Sequence, residues 1–344
     1  MTDLTLEQLP SPREFSGISP QEFQELINDS YEPLVLRGLG SDWNLVKAAN
    51  DSPEAAAAYL KQFESARPLP LVVAPFESGG RLAYNDDYTG FNFSREQAPL
   101  SDGLDRILSR SSDSEDPFLF FQCVPVSLSA PGLASELHNS LVPASSQPHI
   151  WIGSPITVAA HFDEAKNVAV VAAGRRRFTL FSPEQVENLY IGRLDVTPAG
   201  QPISLVDLRS PDFKRFPKYR QALESALSVE LSPGDAIYIP APWWHHVESQ
   251  ERFNVLVNYW WDGAYAASGL PFTALIHAIQ AFRHLPAGER QGWKNLIDHY
   301  AFEIHGDPAE HLAPHDPGIL GPMSPQLAKH IDRWLAQQVG PRDK

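Results

Sequence analysis

Between residues 117 and 262 the sequence repeatedly alternates short apolar runs with proline or glycine. Clear examples of such runs are residues 118–124, 167–173 and 253–260. Their length suits β-strands rather than helices. The chain also contains 31 prolines, which limits long helices because proline breaks a helix interior. Many short strands separated by turns predict a β-sandwich, a barrel or a jelly roll.

The segments on either side of this region have a different pattern. Residues 1–116 mix helical and strand patterns, and Ser19 followed by proline and Glu22 is typical of a helix start with a capping box. Residues 263–344 carry apolar side chains at helical spacing. We therefore expect three parts: a mixed α/β N-terminal region (1–116), a β core (117–262) and a helical C-terminal region (263–344).

Charge and cysteine content exclude several classes of partner and site. Asp and Glu total 42 against 27 Lys and Arg, a net charge of −15, which disfavours nucleic acid and anionic membranes as partners. Cys123 is the single cysteine, so a metal site would be built from histidines and carboxylates. No apolar run approaches the ~20 residues that span a bilayer, and no signal-peptide pattern is visible at the N-terminus. We expect a soluble cytoplasmic protein.

The chemically most informative residues are His161 and Asp163, followed far downstream by the pair His245 and His246. Residues i and i+2 of a strand point to the same side, so His161 and Asp163 can face a common point. A histidine from a distant strand would complete a set of two imidazoles and one carboxylate, which suits non-haem Fe(II) with open positions for other ligands. A His-x-Asp pair is also common by chance, and residues 243–246 could instead be a core strand.

Three consecutive arginines follow Gly174. The apolar runs 167–173 and 177–181 flank this glycine, which predicts a β-hairpin. On a strand Arg176 faces opposite to its two neighbours, so at least one of the three arginines should point inward. A solvated hairpin is the alternative interpretation.

Five segments in order extend the argument: HFDEAKN, GRRRFTLFSPEQ, DFKRFPKY, LSPGDAIYIPAPWWHHVES and VLVNYWWDG. Together they resemble the cupin-like branch of the JmjC-type Fe(II)/2-oxoglutarate-dependent oxygenases, and within that family the asparaginyl hydroxylases. The resemblance covers roughly residues 117–262. It implies a mainly β fold with α additions, whose core is a double-stranded β-helix (jelly roll). It also implies a hydroxylase that uses Fe(II), 2-oxoglutarate and O2 and releases succinate and CO2.

The resemblance assigns a ligand set and two amides. The positions that match the iron ligands, and hence the catalytic centre, are His161, Asp163 and His245. Asn167 and Asn258 stand where the family places amides near the cosubstrate and the metal. His246 then lies on the opposite face of its strand and takes no part in the site.

The resemblance also locates the cosubstrate and substrate positions. Arg176 matches the cation that binds the far carboxylate of 2-oxoglutarate, where asparaginyl hydroxylases carry a lysine. Phe120 and Val158 stand at cosubstrate-binding positions where those enzymes carry hydroxyl groups. A lost neutral hydrogen bond costs about 0.5–1.5 kcal/mol, which is tolerable beside a charge-assisted arginine pair. Trp260 is implied near the substrate and Trp244 is a candidate pocket wall, and either could instead be a core tryptophan.

Two other functions stay open at this point. The missing hydroxyl groups at Phe120 and Val158 favour a cupin-type metal enzyme that does not use 2-oxoglutarate, such as an isomerase or a hydrolase. A non-catalytic binding module is the third possibility, which the complete ligand set disfavours. The substrate class extends over proteins, peptides and small molecules. The resemblance further implies a homodimer through the helices of residues 263–344.

Overall fold

The structure is a computed structural model that describes residues 6–339 apart from 112, 199, 262–270 and 313–316. The chain forms two compact units, Met1–Trp261 and Asp262–Lys344. The predicted boundary between residues 262 and 263 lies outside the described residues.

Strands dominate the first unit. They are β1 (Arg13–Ser16), β2 (Leu34–Arg37), β3 (Leu69–Ala74), β4 (Arg81–Leu82), β5 (Ser94–Ala98), β6 (Phe118–Pro125), β7 (Pro148–Gly153), β8 (Thr157–His161), β9 (Lys166–Ala173), β10 (Arg176–Phe181), β11 (Leu227–Leu231), β12 (Ala236–Ile239), β13 (Trp244–Ser249) and β14 (Asn254–Trp261). Its helices are α1 (Pro20–Asp29), α2 (Asn44–Asp51), α3 (Pro53–Lys61), α4 (Leu100–Ser109), α5 (Val126–Ser129) and α6 (Tyr219–Glu224). The capping box at Ser19 and Glu22 starts α1 as predicted.

Within the part of the chain that the structure describes, the strands form two sheets. The larger has the order β1-β2-β12-β9-β14-β7-β6-β3-β5, and the smaller β11-β10-β13-β8-β4. The eight strands from β7 to β14 contribute four neighbours to each sheet, which is the arrangement of a jelly roll. The predicted double-stranded β-helix with helical additions is therefore confirmed. Strands from the first 116 residues extend the larger sheet, since β2 pairs with β12 and β3 with β6.

The strand β9 shows where the core lies. Val168, Val170 and Ala172 belong to the apolar cluster shared with α1 to α4 on the outer face of the larger sheet. Ala169 and Val171 belong to the cluster between the two sheets. A strand buried on both faces reads as a continuous apolar run rather than an alternating one. The helices of the N-terminal region thus cover the sheet that carries half of the jelly roll.

The predicted hairpin at Gly174 is wrong. Strand β9 pairs with β12 and β14, whereas β10 pairs with β11 and β13, so the turn passes from one sheet to the other. Gly174 has φ +68°, and a Cβ there would lie 2.5 Å from Asn254 Oδ1 and 2.7 Å from the carbonyl oxygen of Phe253. Only glycine fits this close crossing without strain. The crossing starts β10 at Arg176, on the smaller sheet.

The second unit is helical, as predicted. It contains α7 (Pro271–Phe282), α8 (Ala287–Tyr300) and α9 (Pro325–Val339). Large apolar side chains on these helices are exposed, among them Leu275, Trp293, Leu296, Tyr300 and Trp334. None of the described helices combines the length and the apolar character that crossing a bilayer requires.

The crossing at Gly174 can be tested with a matched pair of substitutions. Gly17 has nearly the same φ, +67°, but a Cβ at this position would meet no neighbouring group within 4 Å. We expect Gly17→Ala to cost about 1–2 kcal/mol through its left-handed backbone alone. Gly174→Ala should lower the free energy of unfolding by a further ~1–3 kcal/mol because of the overpacking. Urea unfolding measures both, and equal losses would contradict the close crossing.

Candidate metal centre

The two candidate histidine ligands come from neighbouring strands. His161 ends β8, and in the antiparallel pair of β8 with β13 its Cα is the direct partner of the Cα of His245. The centroids of the two rings are 4.2 Å apart. Asp163 follows two residues after His161, and one ligand atom from each of the three residues lies within 4.8 Å of the others. The structure therefore brings together the three residues that the sequence singled out.

Backbone carbonyls set the tautomer of both imidazoles. Nδ1 of His161 lies 2.9 Å from the carbonyl oxygen of Ala159, and Nδ1 of His245 lies 3.2 Å from that of Trp243. A carbonyl can only accept, so each Nδ1 carries a hydrogen, and in the neutral form of each ring the lone pair is on Nε2. This is the usual arrangement around imidazoles that bind a metal.

The charge state also suits metal binding. His245 is buried, and this burial, together with the neighbouring His161, lowers its pKa to about 4. The ring is therefore neutral at pH 7, as a ligand must be. Nε2 of His245 lies 3.6 Å from Oδ2 of Asp163. Two imidazole nitrogens and a carboxylate oxygen fit a divalent metal such as Fe(II), with room for further ligands.

A chain of hydrogen bonds ends on the carboxylate of Asp163. Its Oδ2 accepts from Nε1 of Trp260 at 3.1 Å and from Nδ2 of Asn167 at 3.3 Å. Oδ1 of Asn167 accepts from Nδ2 of Asn258 at 3.1 Å, and Oδ1 of Asn258 accepts from Nε1 of Trp151 at 2.7 Å. Both amides are buried. Asn167 and Trp260 thus contact the carboxylate directly, and Asn258 is linked to it through Asn167.

A cavity of about 120 Å³ adjoins these residues, and Arg176 lines it. The side chain of Arg176 is only 3% exposed, and its Nε and Nη2 atoms are buried without a hydrogen-bond partner. Burial lowers the pKa of Arg176 to about 9, so the guanidinium stays charged at pH 7. A buried charge without a partner is costly. The cavity therefore fits an anion that reaches Arg176.

The geometry agrees with the comparison to known families. A family described as the cupin-like domain matches residues 20–267. The chain belongs to the cupin-like domain family.

Several relatives share parts of this cupin-like domain. A tRNA wybutosine-synthesizing protein 5 from Mus musculus is 26% identical over 267 residues, covering 74% of this chain and 78% of the relative. HSPB1-associated protein 1 from Homo sapiens is 37% identical over 113 residues, 32% of this chain and 22% of that protein. Lysine-specific demethylase JMJ31 from Arabidopsis thaliana is 29% identical over 124 residues, 36% of this chain and 22% of that protein.

The match thus spans only about a fifth of HSPB1-associated protein 1 and of the demethylase. These similarities support the cupin-like and JmjC-type family in general. They do not single out the asparaginyl hydroxylases within it.

Three candidates of the cupin-like domain remain: Phe120 on the larger sheet, and Val158 and Trp244 on the smaller sheet. Phe120 and Val158 line the same cavity as Arg176. Trp244 does not line it: the side chain packs at 5.0 Å from Phe162, in the cluster on the other face of the smaller sheet. The reason is the alternation along β13, which turns Trp244 away from the side that His245 faces. Trp244 is a core residue here, not a pocket wall.

His246 lies outside the lining of the cavity, on the opposite face of its strand from His245. The ring is buried, and burial lowers its pKa to about 3, so it is neutral at pH 7.

One residue of the site was missed by the sequence reasoning. Trp151, which reaches the carboxylate through two amides, was not predicted as a site residue. Its only sequence signal is its place in an apolar strand, and such a signal does not distinguish a hydrogen-bond donor from core.

The ligand set can be tested with adjacent histidines. We expect His245→Ala to weaken Co(II) binding at least about 100-fold, because even outer residues around a metal change affinity about 10–100-fold. His246→Gln should bind Co(II) as the unaltered protein does. Calorimetric titration of each folded variant measures the affinity. Loss of Co(II) binding in His246→Gln, with binding kept in His245→Ala, would show that the ligand is His246 and not His245.

Proposed function

We propose that this cupin-like domain is an Fe(II)- and 2-oxoglutarate-dependent oxygenase that hydroxylates a C–H bond and releases succinate and CO2. The observation that carries the proposal is the buried guanidinium of Arg176, which has two unpartnered nitrogens and belongs to a side chain that lines the same cavity as the two imidazoles and the carboxylate. His161, Asp163 and His245 would hold the iron. When bound, the iron supplies activation of O2 coupled to decarboxylation of the 2-oxo acid.

Arg176 would bind the far carboxylate of the cosubstrate. Its two unpartnered atoms, Nε and Nη2, lie on one edge of the planar guanidinium and can donate two parallel hydrogen bonds to a carboxylate. This edge supplies donors where Phe120 and Val158 supply none. A bidentate pair therefore offsets the loss of two neutral hydroxyl contacts.

The walls around this pair exclude water. Phe178, Val247 and Leu256 line the cavity together with Phe120 and Val158. An apolar environment strengthens the attraction between a guanidinium and a carboxylate, since it lowers the local dielectric constant. It also keeps water away from the site where the C–H bond is oxidised.

The relatives leave the substrate open. Their names refer to a tRNA, to lysine and to the protein HSPB1, so they do not agree on one target. We therefore propose the reaction class and keep proteins, peptides and small molecules as substrates. The net charge of −15 makes a nucleic acid a less favoured target than any of these.

Titration of the Fe(II)-loaded protein with 2-oxoglutarate under argon tests the cosubstrate. A weak visible charge-transfer band is expected. Its absence would favour the alternative of a cupin-type metal enzyme that works without 2-oxoglutarate. A succinate-release screen against peptides and amino acids, with mass spectrometry for products that carry one added oxygen, then tests the reaction.

Substitution of Arg176 tests its role with a neighbour as control. Arg176→Lys should weaken 2-oxoglutarate binding about tenfold or more, since one charge-assisted hydrogen bond contributes about 1.5–3 kcal/mol. Adding Val158→Thr should recover part of the loss, because it restores a hydroxyl donor. Arg175 is the control, because it is half exposed and paired with Glu230 and Glu251. Arg175→Lys should leave 2-oxoglutarate binding unchanged. Equal effects at both positions, read from the anaerobic titration, would refute the assignment.

We further propose that the chain forms a homodimer through α7 to α9. The support is the set of large apolar side chains that are exposed on these helices. Exposed apolar patches often mark surfaces that bind another protein chain.

Light scattering tests the dimer. The expected mass is twice the 38.2 kDa of the chain. Trp334 on α9 is 55% exposed, and Trp334→Glu should shift the mass towards the monomer, because it places a charge on the apolar surface. Lys329→Glu, an exposed change on the same helix, should leave the mass unaltered. A monomer mass for the unaltered protein would rule the dimer out.

A further inference from the structure

Three adjacent strands of the larger sheet carry the hydrogen-bond chain that ends on Asp163. Trp151 lies on β7, Asn258 on β14 and Asn167 on β9, and these strands are direct neighbours in the order β9-β14-β7. All three side chains line the cavity. The chain therefore crosses the larger sheet on its inner face, whereas the two histidines lie on the smaller sheet.

Both ends of this chain fix its direction, because the indole N–H of Trp151 can only donate and the carboxylate of Asp163 can only accept. An indole N–H can only donate, whereas an amide can present either its oxygen or its nitrogen. Because Trp151 donates at 2.7 Å, Asn258 must turn its Oδ1 towards Trp151 and its Nδ2 towards Asn167. Asn167 then receives this bond on Oδ1 and turns its own Nδ2 towards Asp163, at 3.3 Å.

Without the indole N–H, Oδ1 of Asn258 would lose its donor, and only the carboxylate end would hold the two amides. Asn167 would then be held less firmly against Oδ2 of Asp163. Trp260, which donates to Oδ2 at 3.1 Å, is the other described donor to this oxygen.

We infer that Trp151 is a positioning residue, which acts through Asn258 and Asn167 to orient the Asp163 carboxylate for metal binding. The inference rests on the metal centre of the proposed function. It does not depend on 2-oxoglutarate or on any substrate. Outer partners of this kind change metal affinity about 10–100-fold, and the lower value applies here because Trp260 also donates to the same oxygen.

A double-substitution cycle tests the inference with Co(II) as the probe. Trp151→Phe removes the donor and keeps an aromatic ring, and it should weaken Co(II) binding about tenfold and shift the visible d–d bands of the bound ion. Asn258→Ala breaks the chain at the next link and should produce the same loss. In the Asn258→Ala background, adding Trp151→Phe should change the affinity less than about twofold, because residues in one chain are not additive.

Tyr259 provides the matched control. It lies between Asn258 and Trp260 on β14, and its buried hydroxyl donates to the carbonyl oxygen of Leu137, outside the chain. Tyr259→Phe removes a buried donor of similar cost and should leave the Co(II) affinity and spectrum unchanged.

Each outcome decides a different point. Additive losses in the cycle, or a Tyr259→Phe effect equal to that of Trp151→Phe, would mean that Trp151 acts through packing and would overturn the inference. If Trp151→Phe does not fold, Trp151→Leu, which also lacks the indole N–H and keeps an apolar side chain, takes its place in the cycle. Failure of the unaltered protein to bind Co(II) would instead overturn the metal centre and with it the proposed function.

Discussion

The antiparallel pairing of β8 with β13 is the constraint on which the rest of the site depends. It places His161 directly opposite His245, and backbone carbonyls on the same two segments hold both rings with Nε2 free. The carboxylate then needs only to follow two residues after the first histidine. Geometry of this kind is set by the ladder of a sheet rather than by a loop, so it is rigid before any ligand arrives.

Arg176 lowers the stability of the fold at a position that is suited to binding a ligand. Its guanidinium is buried with two nitrogens unpartnered, and a buried charge left alone is destabilising by several kcal/mol. The packing of the jelly roll offsets this cost, because the clusters on the outer face of the larger sheet and between the sheets are extensive. Local destabilisation that the fold does not itself require is typical of a binding site.

The sequence was sufficient for features that are encoded locally. Short apolar runs and turn residues predicted the strands of the jelly roll, and the spacing of His161 and Asp163 predicted two side chains on one side. Sheet membership is decided by tertiary pairing, and for that reason the crossing at Gly174 was mistaken for a hairpin. Polar, short elements such as β5, with the sequence SREQA, have no apolar pattern to detect. Trp151 was missed because the hydrogen-bond chain it starts joins strands that are distant in sequence.

The double burial of β9 has a consequence for the smallest piece of this chain that can stand alone. A fragment starting at residue 117 would keep every strand of the jelly roll but would lose α1 to α4. The side chains of Val168, Val170 and Ala172 are covered in that cluster. In the fragment they would form a continuous apolar surface exposed to water, which promotes self-association. The family match likewise begins at residue 20, the first residue of α1. We therefore expect the smallest fragment that folds alone to include the N-terminal helices, because they cover the outer face of this strand.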